Sequence, residues 1–238
     1  MTEEIRKRLS ENLQSIRDRM EAAAVRAARP IDSIKLVAVT KYAQLEWVRE
    51  LVGLGMLDLG ESRPQQLTTR SKELPPEIQW HMIGHLQRNK VEDVLPVAAL
   101  IHSIDSTRLF EQLAKSAQKL SVRPRILLEV NVSGEASKDG FDPDALRAAW
   151  PQFLANSHVT IDGLMTMAPL DHEAEMARPV FRRLRELRAE LHDQSNDQHP
   201  LRELSMGMSG DFEVGIEEGA TLVRIGSSLF EGLGEESH

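Results

Sequence analysis

The chain has 238 residues, 41% of them hydrophobic, and a formal net charge of −8, which suits a soluble α/β protein with a sizeable core. The acidic balance and the scarcity of aromatic residues argue against nucleic acid or an anionic membrane as partner. Cysteine is absent, which excludes disulfides, thiolate metal sites and cysteine nucleophiles.

Residues 2–28 place Ile5, Leu9, Leu13, Ile16, Met20, Ala23 and Ala27 at three- and four-residue intervals, the stripe of an amphipathic helix. Thr2 is placed to cap it, Glu3 and Glu4 suit its positive end, and Pro30 ends it. The stretch from Met1 to Lys7 is charged and has no apolar core, so no signal peptide is read there. No apolar run reaches the length of a membrane span, and a cytoplasmic protein is expected.

Short apolar runs then alternate with helical patterns. The spacing predicts strands at 34–40, 56–60, 78–83, 99–104, 125–131, 159–164, 202–205 and 221–225. Helical patterns fall at 44–54, 63–73, 87–95, 107–120, 142–155, 173–193 and 211–218, with Pro179 kinking or starting the long one. Strands alternating with helices imply a parallel sheet joined by right-handed crossovers. Eight strands in one chain point to a closed (β/α)8 TIM-type barrel with an extra N-terminal helix. A doubly wound open sheet is the alternative. No linker divides residues 1–238, so one domain is expected.

The residue that opens the functional question is Lys41, at the end of the run Ile34-Lys35-Leu36-Val37-Ala38-Val39-Thr40. Ligands bind at the carboxyl ends of parallel strands. A partly desolvated lysine held there has a lowered pKa and suits a Schiff-base nucleophile. Taken alone, an ordinary solvated lysine is the plainer reading.

Two late segments converge on it. Ser205-Met206-Gly207-Met208-Ser209-Gly210-Asp211-Phe212 follows the seventh strand and offers backbone N–H groups and a hydroxyl to an anion. Val223-Arg224-Ile225-Gly226-Ser227-Ser228 leaves the eighth, with Gly226 permitting close approach and the serines supplying hydroxyls and a helix start. Loops after strands seven and eight of such barrels often build a phosphate site, beside strand one. A phosphate cradle next to a strand-end lysine suits pyridoxal 5′-phosphate. Arg224, inside an apolar strand, needs a partner. It either pairs with a barrel carboxylate or faces outward, or it donates to the pyridine nitrogen of the cofactor and keeps that nitrogen unprotonated, which weakens the electron sink.

These residues, together with Leu59-Gly60-Glu61-Ser62, Trp80-His81-Met82-Ile83-Gly84-His85-Leu86-Gln87-Arg88-Asn89-Lys90 and Ile101-His102-Ser103-Ile104-Asp105, resemble the pyridoxal phosphate homeostasis proteins. These are barrels similar to the N-terminal domain of alanine racemase. The resemblance runs along almost the whole chain. It implies Lys41 as the Schiff-base lysine, Arg224 at the pyridine nitrogen, and Ser209, Gly226 and Ser227 at the phosphate. The chain departs from the family pattern at Ser62, where asparagine is usual, and at Tyr42-Ala43-Gln44, where a second lysine and a proline are frequent.

His81 and His85 are spaced as a helical metal pair, but Trp80–Ile83 reads as strand and Gly84 breaks a helix, so no metal site is expected. His85 is expected at the mouth in a structural role, and Lys138 in a surface loop. Arg178–Arg188 reads as a solvated helix face. Racemisation needs a proton-handling group on each face of the cofactor. Tyr42, the one tyrosine, follows Lys41 directly and is expected to point away from it. The second domain that supplies a tyrosine in alanine racemases is not expected after residue 225. A carrier or buffer of the cofactor with little or no catalysis is therefore the leading reading, with PLP-dependent apoenzymes as possible recipients. A weak amino-acid racemase using Lys41, or a barrel enzyme on a phosphorylated metabolite, are the alternatives. A monomer is compatible with the sequence, as is a weak homodimer through the first helix.

Overall fold

The computed structural model describes residues 2–135, 139–169, 173–195 and 199–233. Eight parallel strands close into a barrel in chain order: β1 (Lys35–Val39), β2 (Asp58–Glu61), β3 (Gln79–Met82), β4 (Ala98–Ile104), β5 (Arg125–Glu129), β6 (Thr160–Met165), β7 (Glu203–Ser205) and β8 (Leu222–Ile225). β1 pairs with β8 in parallel, with Val37 opposite Arg224 and Ala38 opposite Ile225, so the ring closes and the open-sheet alternative is excluded.

The helices are α1 (Thr2–Arg26), α2 (Leu45–Gly53), α3 (Pro64–Glu73), α4 (Val91–Val94), α5 (Thr107–Leu120), α6 (Pro143–Leu154), α7 (Arg178–Asp193) and α8 (Phe212–Glu217). Pro179 starts α7 rather than kinking it, because its missing N–H falls where the first turn needs no donor. The pattern at 87–95 resolves into a 3-10 turn and the single turn of α4. Lys138 lies outside the described residues.

Strand pleating sorts the residues into two shells. Leu36, Ala38, Val223 and Ile225 face outward and pack under the helices, in the larger apolar core. Val37, Leu100, Leu127, Met165 and Leu222 form a separate apolar cluster. His81, His102, Ser205 and Arg224 are buried beside it. At the N-terminal ends of the strands, Lys35 pairs with Asp58 at 3.2 Å and Arg125 pairs with Asp162.

α1 packs on α2 and α8, burying Leu9, Leu13, Ile16, Met20 and Ala23. Its apolar stripe thus packs on the chain's own helices. Arg19 holds Glu213 at 2.8 Å and Arg26 holds Glu217 at 2.6 Å. Asn12 donates to the carbonyl oxygens of Leu229 and Glu231 at 3.0 and 2.9 Å, tying the segment after β8 to this helix. No helix among the described residues is long and apolar enough to cross a membrane.

Candidate functional site

A cavity of about 880 Å³ opens at the carboxyl end of the barrel. Lys41, Ser209, Arg224, Gly226 and Ser227 all line it. The closed sheet explains this convergence: β1 and β8 are neighbours, and the loop after β7 folds across beside them.

Lys41 is exposed rather than partly desolvated, because β1 ends at Val39 and Lys41 and Tyr42 lie in an exposed turn beyond it. The same turn corrects the expectation for Tyr42. Pleat alternation no longer applies beyond the strand, so Tyr42 lines the same cavity, with its ring 5.0 Å from Lys41 Nζ, while remaining 82% exposed.

The turn is clamped from below. Arg70 on α3 donates to the Thr40 carbonyl oxygen at 2.8 Å and to that of Ala43 at 2.5 Å, so it brackets Lys41. Gln66 adds a bond to the Lys41 carbonyl at 3.2 Å. Arg70 is itself paired with buried Glu61, whose other partner is the Thr40 hydroxyl at 2.5 Å. Burial pushes the Glu61 carboxyl up, against the pull of Thr40 and Arg70.

Across the β1–β8 seam, the Ser209 hydroxyl oxygen accepts from the N–H groups of Gly226 and Ser228 at 3.3 and 3.4 Å. Two backbone donors therefore converge on one oxygen, the arrangement an anionic oxygen requires. A side chain at Gly226 would bring Cβ to 3.3 Å from Val39 Cβ, a tight contact that Val39 would have to yield to by a few tenths of an ångström. Ser227 is exposed at the rim, and Ser228 rather than Ser227 supplies the second amide. Residues 227–229 form a single turn, closed by bonds from the Leu229 and Phe230 amides to the Gly226 carbonyl, and it is not continued into a helix.

Arg224 is 4% exposed. It donates to the Ser205 hydroxyl at 2.5 Å and to the Thr166 carbonyl at 3.0 Å. Burial pushes its guanidinium down to about 10, opposed by the charges of Glu129 and Asp211, so it remains a cation and a pure donor at neutral pH. No carboxylate among the described residues forms a hydrogen bond with it.

Glu129, at the end of β5, lines the same cavity. Burial, reinforced by the nearby charge of Asp105, pushes its carboxyl up to about 7. His85 pairs with Asp105 at 3.1 Å and reaches Asp139 at 3.7 Å, at the cavity rim as expected. Ser62 also lines the rim, beside Gly84, where an added Cβ would lie 2.4 Å from the Ser62 carbonyl oxygen. His81 and His85 do not converge, and no metal-ligating cluster exists among the described residues.

Sequence reasoning assigned no role to Glu129, Arg70 or His102. Glu129 carried the same signal as Lys41, an ionisable group closing an apolar strand. Arg70 lies on a helix whose contact with the first loop depends on the tertiary fold.

A closed barrel with a lysine just beyond β1 and the loops after β7 and β8 lining one cavity defines a class. Residues 6–233 are matched by the family model described as alanine racemase, N-terminal domain. The chain is 41% identical over 221 residues to the pyridoxal phosphate homeostasis protein of Aquifex aeolicus, covering 92% of this chain and 96% of the relative. It is 35% identical over 231 residues to the human protein of the same name, covering 92% of this chain and 84% of the relative. Among solved structures, PipY of Synechococcus elongatus with PLP bound superposes with a TM-score of 0.78 at 37% identity, covering 90% of this chain and 99% of that one. The chain belongs to the pyridoxal phosphate homeostasis protein family.

Proposed function

We propose that this chain binds pyridoxal 5′-phosphate at the barrel mouth, with Lys41 as the Schiff-base lysine, and acts in intracellular vitamin B6 homeostasis as a carrier or buffer. When bound, the cofactor supplies an aldehyde that condenses with an amine, releasing water. Ser209, Gly226 and Ser227, with the Ser228 amide, hold the phosphate; Arg224 faces the pyridine nitrogen. Residues 1–238 act as one ligand-binding barrel domain in the cytoplasm, with PLP-dependent apoenzymes as the receiving partners.

The observation that carries this reading is the meeting in one cavity of an amine, Lys41, with Ser209 and Gly226, whose amide donates to the serine oxygen. Lys41 and the amides of Gly226 and Ser228 flank the β1–β8 seam. The cavity volume falls within the range of small-molecule sites. The relatives named for pyridoxal phosphate homeostasis and the PLP-bound PipY structure support the choice of ligand.

Arg224 favours the carrier over the catalyst. A permanently charged donor at the ring nitrogen leaves that nitrogen unprotonated and limits its capacity to accept electrons. Glu129 is the observation favouring a weak racemase instead. A carboxyl that titrates near neutrality in the same cavity is suited to proton transfer.

Two experiments test this. Protein loaded with the cofactor should show a visible absorption band that borohydride bleaches, leaving a mass adduct on Lys41. No adduct on Lys41 would sink the binding reading. Solvent deuterium exchange at the α-carbon of alanine or serine should stay far below enzymatic turnover; exchange at enzyme-like rates decides for the racemase.

A further inference from the structure

A column of polar side chains runs from the floor of the cavity down the barrel interior to its opposite end. Arg224 Nη1 meets Ser205 Oγ at 2.5 Å, and Ser205 Oγ meets His102 Nδ1 at 2.8 Å. His102 Nε2 meets His81 Nδ1 at 2.9 Å, and His81 Nε2 meets Asp58 Oδ1 at 3.0 Å. His102 and Ser205 are fully buried, and His81 is 3% exposed. Asp58, first residue of β2, has a partly exposed side chain.

With both rings neutral, the chemistry of these groups permits one ordering of the protons. A carboxylate accepts only, so His81 donates to Asp58 from Nε2. A neutral His81 then accepts at Nδ1, which requires His102 to donate from Nε2. A neutral His102 accepts at Nδ1, which requires the Ser205 hydroxyl to donate. Ser205 Oγ in turn accepts from Arg224, which only donates. Every bond points the same way, from the guanidinium to the carboxylate.

Both rings must be neutral for this order to hold. A protonated His102 would donate at both nitrogens, so Ser205 Oγ would accept from both His102 and Arg224 and the chain would no longer run one way. Burial lowers both imidazoles, further for His102, where His81 and Arg224 also disfavour a charge. Asp58 opposes burial at His81, while Lys35 from β1 and Arg125 from β5 act with it. Burial raises the Asp58 carboxyl, but His81 and Lys35 together hold it below its usual value.

We infer that Asp58 is a remote positioning residue for the ligand-facing Arg224, acting through a unidirectional relay of His81, His102 and Ser205. Residues at the N-terminal face of such barrels ordinarily serve stability. Here the anion that completes the hydrogen-bonded chain of the Arg224 cation lies at that face. Aligned hydrogen bonds polarise one another, so the carboxylate strengthens the bond that orients the guanidinium. The consequence for the ligand rests on the placement of Arg224 at the cofactor ring; the relay itself does not.

Nitrogen-15 NMR of the histidine rings and arginine guanidinium in ligand-free protein tests the relay directly. His81 and His102 should both be neutral Nε2–H tautomers at about pH 7. An Nδ1–H tautomer or a protonated ring at either position overturns the proposal, and this measurement needs no variant. In Asp58→Asn the amide accepts or donates equally well, so the His102 tautomer should become mixed and the Arg224 resonances should shift. Unchanged His102 and Arg224 signals in that variant also overturn it. Lys35→Ala, which removes the cation paired with Asp58 but no member of the relay, should keep both tautomers; if it scrambles them as Asp58→Asn does, the effect is general electrostatics and the relay fails. In loaded protein, Asp58→Asn should weaken pyridoxal 5′-phosphate binding about fivefold, the equivalent of one net hydrogen bond. Unaltered affinity and absorption with altered tautomers would refute the positioning role. Failure of the wild-type protein to bind cofactor refutes the functional reading instead, with the relay still measurable.

Discussion

Arg70 holds the carbonyl oxygen of Thr40 at 2.8 Å and thereby fixes the backbone immediately before Lys41. The guanidinium comes from α3, and its counter-charge Glu61 ends β2, so two elements set the position of a third. Replacing Arg70 with alanine leaves a fully buried Glu61 without its cation. A loss of about 3–5 kcal/mol in urea-unfolding stability is expected. Adding Glu61→Gln should recover a large part of it, because a neutral amide tolerates the site better. No recovery in the double variant would show that the clamp on the backbone, rather than the ion pair, carries the stability.

Lys41 offers the opposite case. It is exposed, so Lys41→Ala should change stability by no more than about 0.5 kcal/mol. The same substitution should abolish the borohydride-fixed adduct. Mass spectrometry and a denaturation curve on one sample separate the two effects.

Ser209→Ala removes the oxygen on which the Gly226 and Ser228 amides converge, while leaving the amides in place. Affinity for pyridoxal 5′-phosphate should fall about fivefold, whereas affinity for pyridoxal, which has no phosphate, should stay the same. Equal loss for both ligands would place the phosphate elsewhere.

Glu129 gives a pH dependence with a defined sign. Its carboxyl in the folded protein titrates at about 7, above the ordinary value of 4.5. Between those values the folded state holds the proton that the unfolded state has released, so stability falls as pH rises through this window. The loss is about 3 kcal/mol at most. Glu129→Gln should remove that slope and be the more stable protein above about pH 7. Ionised Glu129 also repels a phosphate, so wild-type affinity should drop through the same range and the variant's should not. Parallel urea titrations and binding isotherms at about pH 5 and about pH 8 check both.

Much of this architecture was legible in the chain. Runs such as Leu36–Val39 are apolar on both faces, the pattern of a buried parallel strand. The stripe from Ile5 to Ala23 likewise declared α1. Lys41, Arg224 and Gly226 stood out because each breaks a local rule: an amine at a strand end, a cation inside a strand, a glycine where side chains would pack. Hydrophobic periodicity and local exceptions are properties of neighbouring residues, and sequence records them.

The tertiary structure decided what is joined across the barrel. That Tyr42 sits beside Lys41 follows from a turn just beyond β1, not from strand alternation. The link from Arg70 to the Lys41 turn spans 30 positions between Thr40 and Arg70. His102 to Ser205 spans 103. Side chains so far apart in the chain meet only once the sheet has closed and its pleat has chosen which of them face the axis. Burial then shifts ordinary ionisable groups: it lowers the Arg224 guanidinium and the His81 and His102 imidazoles, and it raises the Glu129 carboxyl to about 7. Those shifts depend on the loss of water around each group, which no linear pattern of residues encodes.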